Sequence, residues 1–113
     1  MHELSITEGI IKIVESEAKK HHFNKVNSIK LVVGELSGVF PQLIQEYFNI
    51  ASRGTIAEGA ELIIRRVEAR MKCNECGNES IIERHRLRCK NCGSLNVRIT
   101  AGKEFYVDSL EVD

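Results

Sequence analysis

The sequence predicts an α+β fold: two helices on one face of a three-stranded sheet, with a four-cysteine module inserted before the last strand. Three observations carry this expectation. Apolar residues recur at helical spacing in two segments, they alternate in the segments that follow each helix and close the chain, and two C-x-x-C pairs stand between the last two strands.

Ile6, Ile10, Ile13, Val14 and Ala18 form the first helical stripe, with Lys12, Glu15, Glu17, Lys19 and Lys20 on the other side. Ser5 followed by Glu8 has the form of a capping box, which places the helix start near Ser5. The helix closes on Lys19, Lys20, His21 and His22, cations that suit a helix C-terminus. Val26–Leu36 is rich in β-branched residues, with Ile29, Leu31 and Val33 at period two, and reads as a strand. Pro41 opens a second helix in the favoured first-turn position, and Gly54 stops it. Its stripe of Phe40, Ile44, Tyr47, Phe48 and Ala51 is assigned to packing, the usual role of aromatics at that spacing.

A turn-rich connection, residues 54–59, leads to a second strand over Glu61–Met71, whose Arg65, Arg66 and Arg70 belong to an exposed face. That strand runs straight towards Cys73. After the cysteine segment, Glu104–Val112 returns as a third strand. Two domains follow: residues 1–70 with 102–113 form the α+β unit, and residues 71–101 the inserted one.

Cys73-x-x-Cys76 and Cys89-x-x-Cys92 are separated by twelve residues, and each pair is followed by glycine, Gly77 or Gly93. Two such knuckles offer four thiolates to a tetrahedral zinc ion, and the glycines permit tight turns that bring backbone N–H groups towards sulfur. Ile81–Leu87 can form a short hairpin arm and Asn96–Thr100 a further strand. A zinc ribbon with a closed ligand shell is therefore expected, structural rather than catalytic.

Charge narrows the function classes. The 113 residues carry 16 basic and 16 acidic side chains, so no global field favours a nucleic acid or a membrane surface. Residues 71–101 are locally basic, and Arg84, Arg86, Arg88, Lys90 and Arg98 can be read as a phosphate-contacting patch. The same segment has no Phe, Trp or Tyr on which bases could stack, so nucleic acid is the weaker reading, and the charges can equally face an acidic partner. His85 is a surface residue or a supplementary metal donor. No apolar run reaches the length of a membrane span, and paired cysteines suit metal ligation in a reducing compartment, so a cytoplasmic location is expected. There is no G-x-x-x-x-G-K motif, no nucleophile paired with a histidine and no distinctive carboxylate pair, and an enzyme is not expected.

The opening Met1-His2-Glu3 offers another metal site. A histidine in second place presents the terminal amine, its own amide nitrogen and its ring Nδ1 in one plane, through fused five- and six-membered chelate rings. Square-planar nitrogen donors suit nickel(II) or copper(II). The other reading is a frayed terminus with an idle histidine.

Met1-His2-Glu3-Leu4-Ser5, Val33-Gly34-Glu35-Leu36-Ser37, the run from Gly54 to Leu62 (GTIAEGAEL) and the two cysteine knuckles together resemble the HypA family of nickel metallochaperones, over the whole chain. The resemblance implies Ni(II) held by Met1, His2 and Glu3, and Zn(II) held by Cys73, Cys76, Cys89 and Cys92. It also implies a partner GTPase of the HypB type and delivery to the large subunit of nickel–iron (NiFe) hydrogenase, with urease and its maturation proteins served by some members. The alternative is a zinc-ribbon module that binds nucleic acid or acts as a scaffold. Two departures stand out. Phe40 occupies a position where many relatives carry an acid, and Gly77 and Gly93 stand where some have histidines beside the cysteine pairs. His85 is then the one histidine within the module able to link the two metals. Amine ligation further implies that nickel affinity falls between about pH 7.5 and 6, because the free amine titrates near 7.7–8.0. Equal affinities in titrations at the two ends of that range would count against amine ligation.

Overall fold

The computed structural model describes residues 3–113. Helix α1 spans Glu3–His21, strand β1 Val26–Gly34, helix α2 Pro41–Ala51 and strand β2 Glu61–Val67. Four strands follow: β3 Arg70–Cys73, β4 Glu79–Ile81, β5 Val97–Ala101 and β6 Phe105–Val112. They form two three-stranded sheets, ordered β2-β1-β6 and β4-β3-β5. The first carries the helices, and the second belongs to the cysteine segment, as the α+β reading expects.

β1 is the central strand, parallel to β2 and antiparallel to β6. Ile29, Leu31 and Val33 alternate onto one face and share a core with Ile10, Ile11 and Val14 of α1 and with Ile44 and Phe48 of α2. On the opposite face Val32 is flanked by its register partners Arg65 and Tyr106. In β6 the pairing skips from Leu31–Val107 to Lys30–Ser109, leaving Asp108 as an extra residue. That bulge lets Val107 and Leu110, three positions apart, both reach the core.

Local details depart from the sequence expectation. α1 is already helical at Glu3, so Ser5 and Glu8 are exposed residues inside the helix rather than a capping box. An acidic residue in the first turn favours that early start through the helix dipole. The buried stripe of α1 is Thr7, Ile10, Ile11 and Val14, one step around from the expected face, and Ile13 is 46% exposed. In α2, Ile44 and Phe48 are buried, whereas Tyr47 and the preceding Phe40 lie on the surface. The expected strand 61–71 is broken at Glu68 and Ala69, and its two halves enter different sheets.

Two cores result. The second contains Ala69, Met71 and Ile82, with Leu36, Val97 and Ile99 packed on it. The molecule is elongated, 54 × 25 × 17 Å with a radius of gyration of 17.6 Å, where one compact domain of this length would have about 13 Å. We propose that the two cores mark the two expected domains, 1–70 with 102–113 and 71–101, with Ala69 and Arg70 at the boundary already on the side of the second core and sheet.

The joint between them is backbone against backbone. Gly34 N–H donates to Glu104 O at 2.6 Å, Glu35 N–H to Val67 O at 2.9 Å and Leu36 N–H to Gly102 O at 2.6 Å. A Cβ on Gly34 would stand 2.1 Å from Gly102 O. Gly102 has φ +113°, and a Cβ there would lie 2.7 Å from Ala69 Cα. Neither backbone can give way without parting the strands. G34A is therefore expected to lower stability by about 3 kcal/mol or more, read as a fall in melting temperature, against about 1–2 kcal/mol for G38A, where only the left-handed conformation resists the side chain. Equal effects at the two positions would remove the steric account of the joint.

Candidate metal centre

The chain reaches the centre twice, by two turns of the same construction. In each, the N–H groups two and three residues after the first cysteine donate to its sulfur. Glu75 and Cys76 do so to Cys73 at 3.4 and 3.5 Å, and Asn91 and Cys92 to Cys89 at 3.3 and 3.4 Å. The glycine after each pair closes the turn by donating to the carbonyl of the first cysteine, Gly77 to Cys73 O and Gly93 to Cys89 O, both at 3.0 Å. Both glycines have positive φ, 78° and 77°, so the glycine that follows each pair is a geometric requirement.

The four sulfurs lie within 4.8 Å of one another. Cys73 Sγ is 3.6 Å from Cys92 Sγ, and Cys76 Sγ is 3.6 Å from Cys89 Sγ. A tetrahedral ion with bonds of about 2.3 Å needs sulfur–sulfur separations of roughly 3.8 Å, so the thiols fit a zinc-sized ion with little adjustment. Cys73 and Cys89 are buried, while Cys76 and Cys92 are exposed. The site is thus anchored on the side of the second core and open towards solvent on the other.

Electrostatics distinguish the sulfurs. The Cys76 N–H, followed by that of Glu75, holds the Cys73 thiol below its ordinary value. Cys89 is brought down to about 6, chiefly by the Cys92 N–H, against the opposing effect of burial. At Cys92 the Ser94 backbone pulls downward, but hydrogen bonding with Cys73, burial, and the Cys89 and Cys76 sulfurs outweigh it and push the thiol up to about 12. Four thiols this close cannot all ionise alone. A divalent cation bound among them would supply the compensating charge.

Asn91 Nδ2 lies 3.6 Å from Cys76 Sγ, a donor to an exposed sulfur that the cysteine spacing does not announce. On the far side, Asn74 and Asn96 are joined at 3.0 Å, and Asn74 Oδ1 accepts from Arg98 at 2.5 Å, tying β5 to the first knuckle.

A sequence model of the HypA family, described as "Hydrogenase/urease nickel incorporation, metallochaperone, hypA", matches residues 1–112. The chain belongs to the HypA family. It is 41% identical to the hydrogenase maturation factor HypA of Caldanaerobacter subterraneus subsp. tengcongensis, with all of both chains covered. Identity to the HypA of Aquifex aeolicus is 38%, covering 100% of this chain and 98% of the relative. Among solved structures, that of the Ni metallochaperone HypA from Helicobacter pylori superposes with a TM-score of 0.69 at 27% identity, covering 99% and 97% of the two chains. A second HypA solution structure gives 0.74 at 28% identity, covering 99% and 96%.

Against the nickel site that HypA resemblance implies, Met1 and His2 lie outside the described residues. Glu3 is partly buried in the first turn of α1. Ile6 and Gly9, just after it, line a hollow with Phe105 and Tyr106, so this end of α1 lies beside the start of β6, next to the joint. His85 is on the arm of the cysteine module and faces Glu35, Phe40 and Arg66 across a cleft of about 580 Å³. Phe40, 64% exposed at the cleft, brings no donor. Among the described residues the four cysteines are the one group of three or more potential ligands close enough to share an ion.

Proposed function

We propose that this HypA-family chain is a nickel metallochaperone that takes up Ni(II) at Met1, His2 and Glu3 and hands it, with a HypB-type GTPase, to the large subunit of nickel–iron hydrogenase, and to urease through its maturation proteins. The observation that carries the reading is the end-to-end family match of a chain that opens on Met-His-Glu. Glu3 itself stands in the first turn of α1.

Nickel is the cargo in this reading, so the chain binds and releases rather than catalyses. A terminal amine and an amide nitrogen hold a square-planar ion only while deprotonated, which makes release a matter of returning two protons. Cys73, Cys76, Cys89 and Cys92 would hold zinc, which supplies folding energy to the second core when bound. The buried pair anchors the module, and the N–H donors stabilise thiolate charge. Lacking a phosphate loop of its own, the chain leaves nucleotide chemistry to the partner. A cytoplasmic location fits reduced cysteines. Among the described residues, no helix is long and apolar enough to cross a membrane.

The test is a transfer assay. Nickel-loaded chain mixed with nickel-free hydrogenase large subunit, the GTPase and GTP should deliver its metal faster than the same concentration of a nickel chelate. Equal rates from chelate and chain would remove the chaperone reading.

A further inference from the structure

The arm of the cysteine module holds a row of cations that neither metal site uses. Arg84 and His85 adopt left-handed conformations, φ 51° and 60°, and Arg86 N–H donates to Glu83 O at 2.9 Å, closing a tight turn. Beyond it, Arg86, Arg88 and Lys90 fall at every second position around a hollow of about 330 Å³ that also touches Glu83 and Cys89. Lys90 is already occupied, its Nζ 2.9 Å from Glu83 Oε1, and the ammonium holds that carboxyl below its ordinary value. Arg98 is held by Asn74. Arg86 adds a smaller pull on the Glu83 carboxyl, but neither it nor Arg88 makes an ion pair: those among the described residues are of Lys20, His21 and Lys90.

An apolar side chain stands among these charges: Leu87, between Arg86 and Arg88, is 46% exposed. Aliphatic surface is of no use to a phosphate backbone, and the absence of aromatics over residues 71–101 denies bases a stacking platform. A chain with balanced charge also lacks the long-range field that draws nucleic acid. Guanidinium forks interleaved with a leucine match a polypeptide in which carboxylates alternate with apolar residues. Carboxylates on every second residue of an extended strand lie about 7 Å apart on one face, so such a segment can offer one carboxylate to each of two guanidinium groups that line the same hollow.

We propose that the arm Glu83–Lys90 docks an extended acidic segment of a partner protein, with carboxylates received by Arg86 and Arg88 and an apolar side chain by Leu87. This deepens the chaperone reading by giving the chemistry of a partner. Its test uses no nickel, so the two can fail separately.

The probe is a fluorescein-labelled synthetic peptide with glutamate at alternate positions and leucine or serine between, titrated into the zinc-loaded full-length chain and followed by anisotropy. Affinity should fall about tenfold between about 50 and 300 mM salt, as expected for charge-steered contacts. The double variant R86E/R88E should lose about thirtyfold or more, and R86Q and R88Q about fivefold each, all at unchanged zinc content. L87S should weaken binding about threefold without altering the salt dependence. The single neutral variants keep the test open if the double reversal releases zinc. Binding insensitive to Arg86 and Arg88, or a lysine-for-glutamate peptide that binds equally, would overturn the proposal. So would displacement of the peptide by an equimolar single-stranded oligonucleotide, which would assign the arm to nucleic acid instead.

Discussion

H2A is expected to abolish stoichiometric nickel binding while leaving one zinc per chain and an unchanged melting temperature. The physical case is that one side chain supplies both the ring nitrogen and the second chelate ring. Without it the amine and amide retain a single five-membered ring, and the amide is no longer held in a plane that favours its deprotonation. Weakening by a factor of about a hundred or more, about 2.7 kcal/mol, is expected from loss of the imidazole alone. The fold should not register the change, because the buried stripe of α1 begins at Thr7 and every core residue lies further along the chain. Metal analysis after gel filtration separates the outcomes: nickel absent and zinc retained supports the N-terminal site, whereas nickel retained at one per chain moves it elsewhere.

C73A should have the opposite pattern, losing zinc and the second core together. Cys73 ends β3, its sulfur accepts two N–H donors, and its own N–H donates to Asn78 O, so it belongs to the sheet, the knuckle and the metal shell at once. The second core is small, three buried residues with three more packed against it, and has little hydrophobic energy to stand alone. Structural zinc supplies roughly 10–16 kcal/mol of binding energy in zinc-finger peptides, far more than such a core. Amide exchange over residues 70–101 should become fast while β1, α1 and α2 stay protected. Zinc content unchanged at one per chain would contradict the four-cysteine site. Protection lost everywhere would mean that Leu36 and the joint make the two cores a single cooperative unit.

The sequence exposed the repeating signals and hid the junctions. Both helices, the alternation of Ile29, Leu31 and Val33, and the paired knuckles follow from spacings of a few residues, and each has its expected place in the structure. The break at Glu68 and Ala69 does not, because ELIIRRVEARM is a continuous strand pattern and what divides it is Gly102, thirty-odd residues away, pressed against Ala69. Asp108 leaves no trace in periodicity until the pairing with β1 shows that Val107 and Leu110 share a face. Phe40 and Tyr47 read as core because aromatic residues usually are, yet Phe40 stands before the helix, Tyr47 is on its outer side, and the core relies on Ile44 and Phe48. The capping box at Ser5 and Glu8 was overridden by a helix that begins earlier. At the metal centre the cysteines and glycines were legible, whereas Asn91 was not, since its approach to Cys76 depends on how the two knuckles face each other.

N-terminal nickel binding is tested most directly by a nickel titration of the untagged chain, followed by visible absorption, beside the same chain carrying one additional residue before Met1. The untagged chain should take up a single equivalent of Ni(II) with the absorption band of a square-planar nitrogen site. The extended chain, whose histidine no longer follows the terminal amine, should show neither the band nor stoichiometric uptake, with zinc unchanged. Equal uptake and an identical spectrum in both chains would contradict N-terminal binding.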